Sequence, residues 1–147
     1  MADTLMVDMW KAFKTQVASS TPLTTYAKTI YYARIEKAFV PVEFPLVFIY
    51  PTRIVMDDYS EFPKRKSARL VLEISGKVYS ETPNTLVEEQ LKMDDLIRNA
   101  CEKDIQVAGK ALIVRLGESI LTFLDQTVLD TKIQVEIETQ RFTAGAR

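Results

Sequence analysis

Apolar positions first recur at helical spacing. Leu5, Met9, Phe13 and Val17 stand four apart, with Met6 and Trp10 on the same side, which predicts an amphipathic helix. Asp3 or Thr4 can cap its start with a short oxygen-bearing side chain. Ser19-Ser20-Thr21-Pro22 ends it, because proline cannot donate and restricts the residue before it. The period then falls towards two. Thr29–Ile35 is rich in β-branched and aromatic residues and reads as a strand. Pro41 and Pro45 frame a turn, and Leu46–Tyr50 is apolar throughout, a buried strand that continues irregularly to Met56. Pro51 removes a ladder donor, so this strand lies at an edge or bulges there. Residues 57–67 are the most polar and least periodic stretch. They read as an extended hairpin loop, well beyond the usual length of about two to five residues.

Ala68–Tyr79 alternates. Leu70, Leu72, Ile74 and Val78 share one face, Arg69, Glu73, Ser75 and Lys77 the other, and Gly76 stands at the break as a candidate bulge. One dry and one wet face predict an antiparallel sheet covered on one side. Thr82-Pro83 opens a second helix with proline at its first position, and Thr85 with Glu88 offers an alternative start with capping-box spacing. On its wheel Leu86, Val87, Met93, Leu96, Ile97, Ala100 and Cys101 share an apolar arc with Leu91 at the margin. Glu88, Lys92, Asp95 and Asn99 gather opposite. Two readings are open for residues 112–124. Ala111–Leu116 and Ser119–Leu124 make a hairpin about Gly117-Glu118, whereas Leu112, Leu116, Ile120 and Leu124 repeat at helical spacing. The helix would carry Gly117 in its interior at a cost of about 1 kcal/mol. Lys132–Phe142 is a clear alternating strand, and residues 143–147 form a frayed tail. The expected fold is α+β: an antiparallel sheet with two helices packed on one face and a long β-hairpin loop, in one domain spanning residues 1–147.

Composition narrows the chemistry. The 147 residues include 47% apolar and 27% charged residues, enough to fold around one core without a disulfide or metal staple. With no His, the commonest general base and metal ligand is missing, and one Cys makes neither an internal disulfide nor a thiolate cage. Glycines at 76, 109, 117 and 145 are too sparse for a phosphate-cradling loop. No enzyme activity, cofactor or metal is expected. Ser67 and Ser75 lie near lysines, but nothing else marks a Ser–Lys nucleophile. Asp57-Asp58 lacks the alternating oxygens and central glycine of a calcium loop. Cys101 lies on the apolar arc, which favours a small buried hydrophobe over a reactive thiol. The N-terminus shows no targeting pattern, and the longest apolar run, Leu46–Tyr50, is far short of the ~20 residues of a membrane helix. A cytoplasmic protein without membrane contact is expected.

Charge is nearly balanced, 19 basic against 20 acidic residues, which argues against a dedicated nucleic-acid coat. The dense basic run is Lys64-Arg65-Lys66, with Tyr59 and Phe62 beside it. It reads as a solvated loop tip, as a contact with an acidic neighbouring subunit, or as a phosphate and base contact. Tyr59, Phe62, Lys64, Arg65 and Lys66 are therefore the candidate subunit-interface residues.

The order of elements resembles the tail-terminator and tail-completion (neck) proteins of long-tailed bacteriophages, from about Leu5 to Phe142. The likeness lies in the amphipathic first helix, the strand Glu43-Phe44-Pro45-Leu46-Val47-Phe48-Ile49-Tyr50, the helix entry Glu81-Thr82-Pro83 and the closing strand Val135-Glu136-Ile137-Glu138-Thr139-Gln140-Arg141. The resemblance implies a structural virion protein with no catalytic residues. Such a protein forms a ring, typically a hexamer, that caps the tail tube and meets the head or neck connector, with DNA at most passing through. It also implies a virion tail or neck location after assembly in the host cytoplasm. The alternatives are a head-completion or neck connector protein, and a nucleic-acid-binding module using the exposed sheet face. That face mixes signs, which favours the adaptor.

Overall fold

The computed structural model describes residues 5–35, 39–61, 64–109, 111 and 113–142, with the backbone alone described over 57–61, 64–67 and 140–142. Among the described residues three α-helices, α1 (Leu5–Ala18), α2 (Thr21–Tyr26) and α3 (Pro83–Glu102), accompany five strands. The strands are β1 (Thr29–Tyr31), β2 (Leu46–Glu61), β3 (Lys64–Tyr79), β4 (Ile113–Phe123) and β5 (Val128–Phe142). They form one sheet in the order β1-β2-β3-β5-β4. This is an α+β fold, and the sheet is mostly antiparallel. It departs from the expected pure antiparallel sheet in one pair: β1 runs parallel to β2 over Thr29–Tyr31 against Leu46–Phe48. The long connection between them returns the chain to the end where it began, as parallel pairing requires.

The sheet residues of the core, including Val47, Ile49, Leu72, Ile74, Ile133 and Val135, all fall on one set of alternate positions in the register. They share a cluster with Met9, Phe13 and Val17 of α1, Leu23 of α2, and Leu86, Met93 and Ile97 of α3. Each such side chain contributes about 1.5–3 kcal/mol by leaving water. A polar clasp joins α1 to α3. Buried Gln16 donates from Nε2 to the carbonyls of Ala100 and Cys101, 3.1 and 3.0 Å away, groups that the end of α3 leaves without helical partners.

Several expected details are corrected. Pro22 does not merely end α1; it sits in the first turn of α2, where its missing N–H costs nothing. The first strand is three residues long, ending at Tyr31. The Thr82 start of α3 holds and the Thr85 start does not. Val87 and Leu91 of α3 are exposed, while Gln90 is buried, its amide donating to the Asp130 carbonyl at 2.9 Å. Gly76 is in register on both sides and makes no bulge. The segment expected as hairpin or helix is neither over its described residues: β4 is one strand, Ile113–Phe123, interrupted by a bulge between Leu116 and Ser119 that absorbs Gly117 and Glu118, and Leu112 lies outside the described residues. The bulge expected near Pro51 is present between Pro51 and Arg53. Ser75, expected on a wet face, is buried, as are Phe48 and Val71 in the same alternate set. Phe48 stacks on Tyr31 with ring centroids 5.4 Å apart, and Phe39 packs beside both. The expected tail, residues 143–147, lies outside the described residues.

Candidate functional site

Over its described residues, 57–61 and 64–67, the segment expected to be a loop is strand. Asp57 pairs with Ser67, Asp58 with Lys66, Ser60 with Arg65 and Glu61 with Lys64, with a register shift between Asp58 and Ser60 at Tyr59. On the other side of β3, Arg65 faces Phe142 and Lys66 faces Arg141. Tyr59, Lys64, Arg65 and Lys66 thus stand on a three-stranded arm that continues the sheet, and Phe62 lies outside the described residues. Polarity misled the sequence reading. Backbone ladders need no apolar face, so a strand beyond the helices can lose its alternation and still pair.

The sheet has two open edges. At one, β4 pairs only with β5 among the described residues. Its far end and the turn after it expose Ile120 (63%), Leu121 (50%), Phe123 (66%) and Leu124 (49%). Helix α3 is tied to this strand by Arg98, which donates to the Gly117 carbonyl and to Ser119 Oγ, both at 2.7 Å. Asp94, one turn earlier, takes the Ser119 hydroxyl and pairs with Arg98 at 3.2 Å. Helix and strand therefore run in opposite senses. Leu91 and Val87, earlier on α3, are also exposed.

At the other edge, β1 covers only the first three residues of β2, so among the described residues β2 from Ile49 onwards pairs with β3 alone. There Met6 and Trp10 of α1, Pro51, Arg53 and Ile54 of β2 and Leu70 of β3 line an open, mostly apolar groove of about 480 Å³. Natural edge strands are normally short, charged or covered. These two are long and flanked by exposed apolar side chains.

The outer sheet face is occupied by its own ion pairs. Arg69 meets Glu136 at 3.5 Å and Arg115 meets Glu138 at 3.0 Å. Asp130 is fully buried; its Oδ1 accepts from Ser75 Oγ at 2.6 Å and lies 3.4 Å from Lys77 Nζ, while Lys132 approaches Oδ2 at 4.0 Å. Arg34, Phe48, Tyr50, Lys77 and Lys132 border a 230 Å³ pocket above this network. Burial, and then the bond to Glu73, pushes the Tyr50 hydroxyl up to about 12. The fold brings Ser75 and Lys77 together, but not as a nucleophile and its base. The serine hydroxyl donates to a carboxylate and the lysine donates to the serine oxygen at 3.2 Å, the reverse of the proton transfer such a pair performs. Sequence reasoning missed Asp130; its signal is an acid placed across from Lys77 in register, visible only once β3 and β5 are paired.

Cys101 is buried, and burial pushes its thiol up to about 12. Among the described residues no group of three or more Cys, Asp or Glu side chains is placed to hold a metal ion, and no helix is long and apolar enough to cross a membrane. Comparison with protein-family models finds no match, and comparison with curated proteins finds none either.

Proposed function

We propose that this chain is a ring-forming structural protein of a phage virion, a tail terminator that caps the tail tube and joins it to the head or neck connector. The supporting observation is the pair of open edges at opposite sides of one sheet, each carrying exposed apolar side chains. Two different patches on one subunit suit a head-to-tail contact, and such contacts close into rings when the rotation between copies permits. A self-complementary dimer would need only one patch. The layout of helices, long β2–β3 arm and closing strand β5 agrees with the resemblance noted in the sequence. DNA has at most a passive place in this reading, passing through the ring. The ion pairs on the outer sheet face lend no support to a nucleic-acid-binding module, because Arg69, Lys77 and Arg115 there already have carboxylate partners. Negative-stain imaging of the purified protein, alone and with assembled tail tubes, tests the proposal: rings, or caps on tube ends, are expected.

A further inference from the structure

The two open edges differ in shape, and the difference assigns them to each other. At the end of β4, Phe123 and Leu124 project, 66% and 49% exposed, and are followed by Asp125. The Asp125 carboxyl accepts the backbone N–H groups of Thr127 and Val128 and the Thr127 hydroxyl, which holds its pKa below the usual carboxylate value and keeps it an anion. This is an apolar knob with a fixed negative charge at its base. Across the sheet, the β2 edge offers an apolar groove lined by Met6, Trp10, Ile54 and Leu70 together with Arg53. Arg53 is exposed and makes no ion pair among the described residues.

A single chain cannot join the two. Strands β3 and β5 stand between them, and Ile54 lines up through Leu70 and Ile137 with Val114, at the opposite end of β4 from Phe123. We infer that Phe123 and Leu124 of one copy seat in the Met6–Trp10–Ile54–Leu70 groove of the next, with Asp125 facing Arg53 across the contact. This rests on the ring reading above and names its interface. Apolar burial supplies the attraction, and the charge pair fixes which way the knob enters. Because knob and groove sit at opposite ends of the strands as well as at opposite edges, interlocked copies have strands inclined to the ring axis. Closed sheets have the same inclination.

The test is oxidative cross-linking of the full chain bearing Ile54→Cys and Phe123→Cys together, beside each single variant and the wild type, with native mass spectrometry of the unmodified protein in parallel. Both positions are exposed, so folding is preserved, and buried Cys101 does not compete. A ladder of linked multimers from the double variant, with no ladder from either single variant, supports the interlock. Mixing the two single variants should give linked dimers and nothing larger. Rings in the wild type without a ladder from the double variant overturn the interlock and leave the ring reading standing. A wild type that stays monomeric, with or without tail tubes, overturns both.

Discussion

Gly76 lies directly under Met93: a methyl group built on its Cα would stand 2.5 Å from Met93 Cγ and 2.9 Å from Ile97 Cδ1. The missing side chain is what lets α3 approach β3 so closely. Gly76→Ala should therefore overpack the contact and destabilise the fold by about 1–3 kcal/mol. Urea unfolding of the variant beside wild type measures it. An unchanged midpoint would mean that the helix stands further off.

Cys101 and Tyr50 contribute to the alkaline limit, alongside Tyr26, whose hydroxyl is also raised by burial and by Glu89. In the unfolded chain Cys101 and Tyr50 ionise near 9.0 and 10.0, whereas in the fold both are pushed up to about 12 by burial first, with nearby carboxylates adding to it. The folded state keeps protons that the unfolded state releases, so their contribution is fully present below about pH 9 and is lost as pH rises towards 12. Stability against urea should be level from pH 7 to 8.5 and then fall. Cys101→Ala should move the onset up by removing the earlier ionisation. At neutral pH a thiol reagent should label native Cys101 only as fast as the protein opens.

After α3 the chain turns through two left-handed non-glycine residues, Val107 at φ 49° and Ala108 at φ 55°. Asp104 holds the turn by accepting the backbone N–H groups of Gln106 and Ala108 at 3.0 and 2.9 Å. A Cβ in that region costs about 1–2 kcal/mol, so Ala108→Gly should stabilise the protein by up to about 1 kcal/mol after its greater chain entropy is counted. Val107 is fully buried, so substitution there would confound backbone strain with lost packing.

Elements whose side chains meet the core were legible in the sequence. The four-residue spacing of Leu5 to Val17 and the alternation of Leu70 to Ile74 reproduce α1 and the inner face of β3 because burial enforces those periods. Where burial stops enforcing the pattern, the reading failed. The arm at residues 57–61 and 64–67 pairs through its backbone, so its polar side chains gave no strand signal. In β4 the bulge at Gly117-Glu118 leaves Leu116 opposite Val135 on the core face and Ile120 opposite Lys132 on the other, so the four-residue spacing that suggested a helix marks no common face. The apolar edge was present in the sequence as Ile120, Leu121, Phe123 and Leu124. The sequence does not say which strand ends a sheet, so their exposure could not be read there.

The register also qualifies what the basic run does. Lys66 stands opposite Asp58 and Lys64 opposite Glu61, so introducing acids there would set like charges against each other within the arm. Replacing Lys64, Arg65 and Lys66 with Gln avoids that clash. The loss should be about 0.2–1 kcal/mol for each opposite-charge pair removed. If the arm docks on a neighbour through its charge, assembly should weaken far more than folding does, and salt should weaken the wild-type contact similarly as screening shortens to about 3 Å at 1 M. Melting curves and imaging of the same preparation separate the two effects.

The most direct measurement is the mass of the assembled species. Native mass spectrometry should find the wild type as one closed oligomer, alone or on tail-tube ends. The Ile120→Lys, Phe123→Lys double variant should be a folded monomer with a melting temperature close to wild type, since both side chains are already in water. A wild type that remains monomeric with tubes present, or a double variant that forms the same ring, would contradict assembly through the β4 edge.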